Sequence, residues 1–458
     1  MKNKNSSIDL FSPIAELFHE LCLLIIKLIG ISIKYIISLF GTSSKELKID
    51  RSYLAESKQT NNEESIGINT KTKKDIPLSE IDFSKHSIII GASGFGKTNL
   101  IQILQEDYLK QGKPIIFFDP KGDREALNSF IYLCSKYDQK CRVFSEAYNE
   151  SIKLNPVLEG SVNQIVDRIM SAFEWTEPYY EDQSSRALTK VILGLKKSNK
   201  EISLKLILDT LLMEENSKDT VGIISKIEKI TSSDFGPLLE GKERDYTLSK
   251  IRSEKSCLYI GLSTQGYGKT AMAVGKMLLG ELLYVSYVSL RDLRSLRNNK
   301  LGIFFDEFGA LVTGRFIELE NKCRGAGMEL TMAIQTMADI NLLNPELTVQ
   351  IMENCSNWFI LKQRISKSAE DLSVAIGTLL SSKTTEVIED GEKSGKGTER
   401  TVHELIVHPD IIKNLKIGQC ILLRQSPHSV VHLNIRKSNL DYLNRDRKTK
   451  SITMEVTI

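Results

Sequence analysis

One string limits this chain more than any other feature. Gly91-Ala92-Ser93-Gly94-Phe95-Gly96-Lys97-Thr98 satisfies G-x-x-x-x-G-K-[ST] in full. Glycines at these places let backbone N–H groups curl inward around phosphate oxygens, because only they take up the required dihedrals cheaply. The string follows an apolar strand, Ser87–Ile90. It precedes a helical pattern from Thr98 with Leu100, Ile101, Leu104 and Tyr108 on one face. The positive end of that helix would point at the same phosphates. A second strand, Pro114–Phe118, completes a strand–helix–strand unit with a parallel sheet. The pattern predicts an ATP site in which Lys97 bridges the β- and γ-phosphates and Thr98 ligates Mg²⁺.

A phosphate loop needs an acidic partner strand, and Leu301-Gly302-Ile303-Phe304-Phe305-Asp306-Glu307 supplies one. Asp306 is expected to hold the metal through water, and Glu307 to polarise the attacking water. The next apolar strand, Leu330–Ile334, ends in Gln335, placed to sense the γ-phosphate. Arg324 lies between those two strands, where a guanidinium can complete a neighbouring subunit's site or simply face solvent. Gln265–Thr270 also contains Gly-Tyr-Gly-Lys-Thr, but Ser263 replaces the leading glycine and no acidic strand accompanies it. A second nucleotide site is not expected there.

Helical and strand-like segments alternate through most of the 458 residues, which indicates an α/β class with length for about three domains. Strand-like runs recur at Cys257–Ile260, Ile303–Phe305, Leu330–Ile334, Trp358–Leu361, Gln419–Leu423 and Val430–Ile435. Between 157 and 249 apolar residues recur only at helical spacing, as an all-α insertion would. The motor domain then divides into 81–156 and 250–436. Residues 42–80 read as a polar linker, 437–458 as a solvated tail, and 386–399 as an exposed hairpin tip. A total of 61 basic and 58 acidic residues, mostly interspersed, neither demands nor excludes nucleic acid. Seven scattered cysteines without a CxxC pair indicate reduced thiols and no metal cluster.

The amino terminus departs from this soluble character. Residues 14–41 are strongly apolar, with no small-residue cleavage site after them, so a removed signal peptide is not expected. Twenty-eight helical residues reach roughly 42 Å, enough to cross a bilayer with tilt. Glu16, Glu20, Lys27, Lys34 and Ser38 fall on one narrow stripe. Such a helix suits a span packed against partner helices or a helix lying in the headgroup plane. Residues 1–41 are therefore read as a membrane-associated segment.

Several further strings occur in order: Asp119-Pro120-Lys121-Gly122-Asp123, Leu154-Asn155-Pro156, Asp306-Glu307-Phe308-Gly309, Arg324-Gly325-Ala326-Gly327, Ala333-Ile334-Gln335-Thr336, Glu353-Asn354-Cys355, Ser373–Gly377, His408-Pro409 and Leu415–Gln419. Together they resemble the type IV coupling proteins of conjugation and type IV secretion, the TraD-like branch in particular, over about three quarters of the chain. The resemblance implies a RecA-like motor with an inserted all-α domain, held at the bacterial inner membrane with its ATPase domain in the cytoplasm. It also implies a homo-hexamer that receives relaxase-bound single-stranded DNA from the relaxosome and couples ATP hydrolysis to its delivery into the secretion channel. Arg324 falls where the family places its arginine finger. The Asp119–Asp123 string carries over without a derivable chemical role. Many relatives have two clear spans and a longer tail; the short stretch after Ile435 implies that another region or protein recruits substrate. Two other readings remain at this point. One is an ATP-switched docking receptor for protein substrates; the other is a degenerate orphan copy.

Overall fold

The structure, a computed structural model, describes residues 60–213, 219–242, 245–291, 300–341, 345–389 and 392–438. The segment 1–41 lies outside them, as does the tail beyond Ser438.

The most apolar tetrapeptides and pentapeptides of the sequence form the sheet. In chain order the strands are β1 (Ser65–Asn69), β2 (Asp75–Pro77), β3 (Ser87–Ile90), β4 (Ile115–Asp119), β5 (Cys141–Phe144), β6 (Cys257–Gly261), β7 (Leu301–Phe305), β8 (Met328–Ile334), β9 (Asn357–Ile360), β10 (Thr378–Glu389), β11 (Glu392–Leu405), β12 (Gln419–Gln425) and β13 (His428–Ile435). Eleven of them make one sheet in the order β2-β1-β13-β12-β9-β3-β8-β7-β4-β6-β5. The run from β9 to β5 is parallel, and β12, β13, β1 and β2 continue it antiparallel. Every residue of β3, β4, β6, β7, β8 and β9 is buried. Continuous apolar runs of this kind arise where helices cover both faces of a parallel sheet. Each fully buried isoleucine of β3 contributes about 1.5–3 kcal/mol.

The covering helices are α1 (Lys97–Lys110), α2 (Arg124–Lys136), α3 (Val162–Met170), α4 (Pro178–Lys197), α5 (Leu204–Met213), α6 (Val221–Thr231), α7 (Leu248–Ser253), α8 (Thr264–Arg291), α9 (Gly314–Cys323), α10 (Pro345–Asn354), α11 (Ser366–Ile376) and α12 (Pro409–Asn414). Leu100, Ile101, Leu104 and Tyr108 of α1 are all buried, as their spacing required. Helix α8 is long and apolar enough to cross a membrane, but Val274, Met277, Leu278 and Leu282 on it are buried in the core.

Among the described residues, only helices α3–α7 and one short helical turn separate β5 from β6. The base of this insertion is fastened by Asn155. Its side-chain amide donates to the carbonyls of Ile202 (2.7 Å) and Gly241 (2.9 Å), and its oxygen accepts from Val157 N–H. An isolated bridge, Leu154 to Tyr246, closes the neck. The string Leu154-Asn155-Pro156 is thus the hinge plate of the inserted helices.

One expectation needs correction. Composition predicts a linker over 42–80, yet Ser65–Asn69 and Asp75–Pro77 form β1 and β2 at the end of the sheet. Ile66 is buried, and Gly67 lets β1 lie directly on β13, because a β-carbon there would stand 2.0 Å from the Asn434 oxygen. A five-residue strand with two isoleucines among serine, glycine and asparagine does not announce itself in composition. The polar stretch 386–399 does form the tip of a hairpin: β10 and β11 pair with each other alone, outside the main sheet.

Candidate functional site

Strand register decides which residues meet. Ile90 pairs with Ile334, Phe305 with Met332, and Phe118 with Phe305. Gly91, Gln335 and Asp306, which follow their strands, and Asp119, which ends β4, therefore line one carboxyl edge of the parallel sheet. In open α/β sheets that edge is where ligands bind. Strand β8 stands between β3 and β7, so the glycine loop and the acidic pair are two strand spacings apart, about 10 Å.

The loop Gly91–Thr98 is anchored at its start by Gly91 N–H to the Ile334 carbonyl (3.1 Å) and Ala92 N–H to the Lys362 carbonyl (3.0 Å). Gly94 and Gly96 take φ of 84° and 103°, the left-handed region where other residues are strained. Ser93 and Gly94 are exposed, and Phe95 lies under the cations of Lys362 and Arg364. Lys97 is buried, and its Nζ donates to the Gly91 carbonyl at 2.6 Å. Burial lowers its pKa and Lys121 adds to this; Asp306, Glu307 and Asp339 oppose the shift. Loop lysine and acidic strand thus share one electrostatic site. The Thr98 hydroxyl is exposed at the start of α1.

Asp306 is buried; its backbone N–H donates to the Phe118 carbonyl and its carboxylate accepts from Glu307 N–H at 3.0 Å. Glu307 sits at φ 46°, ψ 49°. Left-handed backbone at a non-glycine residue costs of order 1–3 kcal/mol and gathers at functional positions. Gln335 donates from Nε2 to Glu307 Oε1 at 3.2 Å. Its own backbone N–H, with that of Thr336, donates to Asp339 (2.9 and 3.2 Å), which fixes the strand end.

Two residues that sequence reasoning left without a role stand in this group. Lys121 Nζ lies 2.8 Å from Glu307 Oε1 and 3.7 Å from Asp306 Oδ2. Burial alone would lower its pKa, but the hydrogen bond to Glu307 and the charge of Asp306 raise it. Asp119 holds the turn that presents Lys121. It accepts from Lys121 N–H and Asp123 N–H at 3.0 Å and from the Tyr259 hydroxyl at 2.5 Å. Burial, the largest influence, raises its pKa. No local signal marks Lys121, because β4 and β7 become neighbours only through strand order.

Arg324 is not brought to this edge. It ends α9 just before β8 begins, so it lies at the amino edge, roughly 20 Å away by the length of that strand. Its side chain is exposed, and among the described residues no hydrogen bond or ion pair holds it. The turn behind it is held: buried Arg252 of α7 donates through Nη2 to the Ala326 carbonyl. Beneath it His86 accepts from Leu330 N–H (3.2 Å) and lies 3.2 Å from the Glu320 carbonyl. Burial holds the His86 pKa down to about 4 and pushes that of Glu320 up to about 8. In Gln265–Thr270, Lys269 is exposed and pairs with Glu174 at 3.3 Å; it does not fold back on its own loop as Lys97 does.

The donor set suits a hard divalent cation. The Asp306 carboxylate and the Thr98 hydroxyl are oxygen ligands of the kind Mg²⁺ prefers, and a cationic ammonium already rests against the acidic pair. Glycine loop, inserted strand with a polar tip, and paired acids at one sheet edge define a P-loop motor domain.

Comparison with known proteins narrows the class. Residues 66–256 match the family profile described as "Helicase HerA, central domain". Residues 300–416 match "TraM recognition site of TraD and TraG". The bacterial conjugative coupling protein TrwBdeltaN70 superposes with a TM-score of 0.63 at 14% identity, over 85% of this chain and 91% of that one. TrwB in complex with ADP and Mg²⁺ gives 0.60 at 14% identity, over 84% and 90%. VirB4 of Thermoanaerobacter pseudethanolicus gives 0.56 at 13%, over 82% and 97%. At such identity these likenesses speak for the fold: a RecA-type motor with flanking helices. An uncharacterised protein of Mycoplasma pneumoniae is 35% identical over 69 residues, a stretch of 14% of this chain and 58% of that relative. The chain is thus similar to the conjugative coupling proteins in fold, and in its 300–416 part to the TraD and TraG profile.

Proposed function

We propose that the chain is a membrane-anchored ATPase that couples ATP hydrolysis to the recruitment and translocation of single-stranded, relaxase-bound DNA into a conjugation channel. The observation that carries this reading is the convergence of Lys97, Lys121, Asp306, Glu307 and Gln335 at one sheet edge. Bound there, ATP with Mg²⁺ supplies the phosphoryl bond to be cleaved. Residues Gly91–Thr98 would cradle its phosphates, Lys97 would neutralise the β- and γ-oxygens, and Thr98 and Asp306 would hold the metal. Glu307 orients and deprotonates the attacking water. Its left-handed backbone and the Gln335 amide fix the direction of its carboxylate, so a rotation of Gln335 re-aims the base. Complexes of TrwB with ADP and Mg²⁺ and with an ATP analogue support this assignment.

Arg324, exposed and unheld at the opposite edge, serves a neighbouring subunit's site in a homo-hexameric ring. The inner membrane holds the amino-terminal segment, and the relaxosome and secretion proteins are the partners. DNA contact is sequence-independent. A cleft between α6 and the start of α8, lined by Phe173, Lys226, Lys229, Lys269 and Lys276, offers the required cations beside an aromatic face. The test is the ATPase rate of the full chain in membranes or detergent with and without single-stranded DNA. Stimulation at low salt that fades as salt rises supports the reading. A rate indifferent to DNA at low salt, with recovery of a protein substrate free of DNA, favours the docking-receptor function instead.

A further inference from the structure

The Asp119–Asp123 turn touches two regions at once. On one side Lys121 reaches the acidic pair, 2.8 Å from Glu307 and 3.7 Å from Asp306. On the other side the turn is bonded to the segment that leads into α8. Leu262 N–H donates to the Asp119 carbonyl (3.0 Å), and Thr264 donates to the Pro120 carbonyl through both its N–H and its hydroxyl (2.8 Å each). A β-carbon on Gly122 would stand 2.5 Å from the Ser263 hydroxyl, so the two segments are in van der Waals contact. Beyond Thr264 the chain passes through Gly268 at φ 50°. Tyr267 donates to Asp234 of the insertion, and Lys269 pairs with Glu174. Gln265–Thr270 is thus a further contact between motor and inserted helices, beside the Asn155 neck and the Arg252 bond.

We propose that Lys121 is a positioning residue that competes with the divalent cation for the Asp306–Glu307 pair and, on release, passes the state of the nucleotide site to the insertion. The inference rests on the ATPase reading above. Its electrostatics are simple. Two cations within 4 Å of one carboxylate pair repel each other, and the pair cannot hold both at full strength. Filling the metal position therefore weakens the hold on Lys121. Lys121 is part of a turn whose other bonds, through Asp119, Tyr259 and Thr264, are neutral or buried and remain made. The turn responds as a unit, and the first residues of α8 are attached to it. The basic cleft lined by Lys269 and Lys276 lies at the end of this connection.

The test uses the full chain, wild type, Lys121→Met and Lys121→Arg, with a fluorescent non-hydrolysable ATP analogue titrated with Mg²⁺. Lys121→Met lowers the Mg²⁺ concentration at half-saturation by about threefold to tenfold, and Lys121→Arg keeps it near wild type. In hydrogen exchange, the analogue with Mg²⁺ changes the protection of residues 263–270 in wild type, and Lys121→Met abolishes that response. An unchanged or raised Mg²⁺ midpoint in a folded Lys121→Met overturns the proposal. So does a wild-type 263–270 segment that ignores the nucleotide, however the variant folds. A wild-type chain that binds no analogue at any Mg²⁺ concentration removes the ATPase reading itself, a distinguishable failure.

Discussion

The two edges of the parallel sheet use charge in opposite ways. At the carboxyl edge Lys97, Lys121, Asp306 and Glu307 are held by one another and by single backbone contacts, with Glu307 in a left-handed conformation. At the amino edge, His86 and Arg252 are buried with backbone partners, the Glu320 carboxylate is buried against the side chains of Asn354 and Cys355, and one exposed arginine beside them is held by no hydrogen bond or ion pair among the described residues. The first arrangement is easily re-paired, as a site that meets charged ligands must be. The second is rigid beneath and free at its tip, as a group that acts on another molecule must be. Under the proposed function, the carboxyl edge carries the chemistry and Arg324, at the other edge, completes the site of a neighbouring copy.

The sharpest way to break this comparison is Arg324→Ala. Hydrolysis by the assembled chain is expected to fall about a thousandfold while nucleotide affinity holds. Mixing it with Glu307→Gln subunits restores part of the rate; equal loss in the mixture would place Arg324 outside any shared site. Next in size is Lys97→Ala, which removes a charge-assisted contact worth about 1.5–3 kcal/mol and weakens ATP binding about tenfold to a hundredfold in equilibrium titration.

Asn155→Ala examines whether the insertion's base is independent of both edges. It leaves the Ile202 and Gly241 carbonyls buried without their donor, at about 1–3 kcal/mol each. Thermal stability drops, and the affinity for nucleotide stays at the wild-type value. Calorimetry beside the same titration reads both.

The smallest effect is a pH slope at the amino edge. Glu320, raised from 4.5 to about 8, binds a proton in the folded chain that the unfolded chain has lost, so its contribution decays as pH rises between those values. His86, depressed from 6.5 to about 4, acts oppositely and only below about 6.5. Between pH 6.5 and 8 the Glu320 effect therefore stands without opposition from His86. Glu320→Gln should flatten the decline of melting temperature over that window; an unaltered slope would mean the carboxyl is not held neutral.

Much of the carboxyl edge was legible because its residues end apolar strands. Gly91, Asp306 and Gln335 each follow a run of buried residues, and a strand end is a local signal. Lys121 was not legible, since its partner lies on a strand nearly two hundred positions away and adjacency follows from sheet order. The strand Ser65–Asn69 was missed because its five residues carry only two isoleucines among serine, glycine and asparagine, and its pairing with β2 and β13 follows from sheet order. Asn155 was visible as part of a recurring string, but its bonds to Ile202 and Gly241 are long-range and only the folded chain reveals them. Arg324 was recognisable from the family string, and its place before β8 puts it at the amino edge, away from the loop.

The most direct measurement is phosphate release by purified Glu307→Gln against wild type, with bound nucleotide quantified in the same samples. The account predicts that the variant holds ATP with Mg²⁺ as wild type does and releases phosphate at least about a hundredfold more slowly. Release at the wild-type rate, or loss of nucleotide along with the rate, would contradict a division of labour between the glycine loop and the acidic strand.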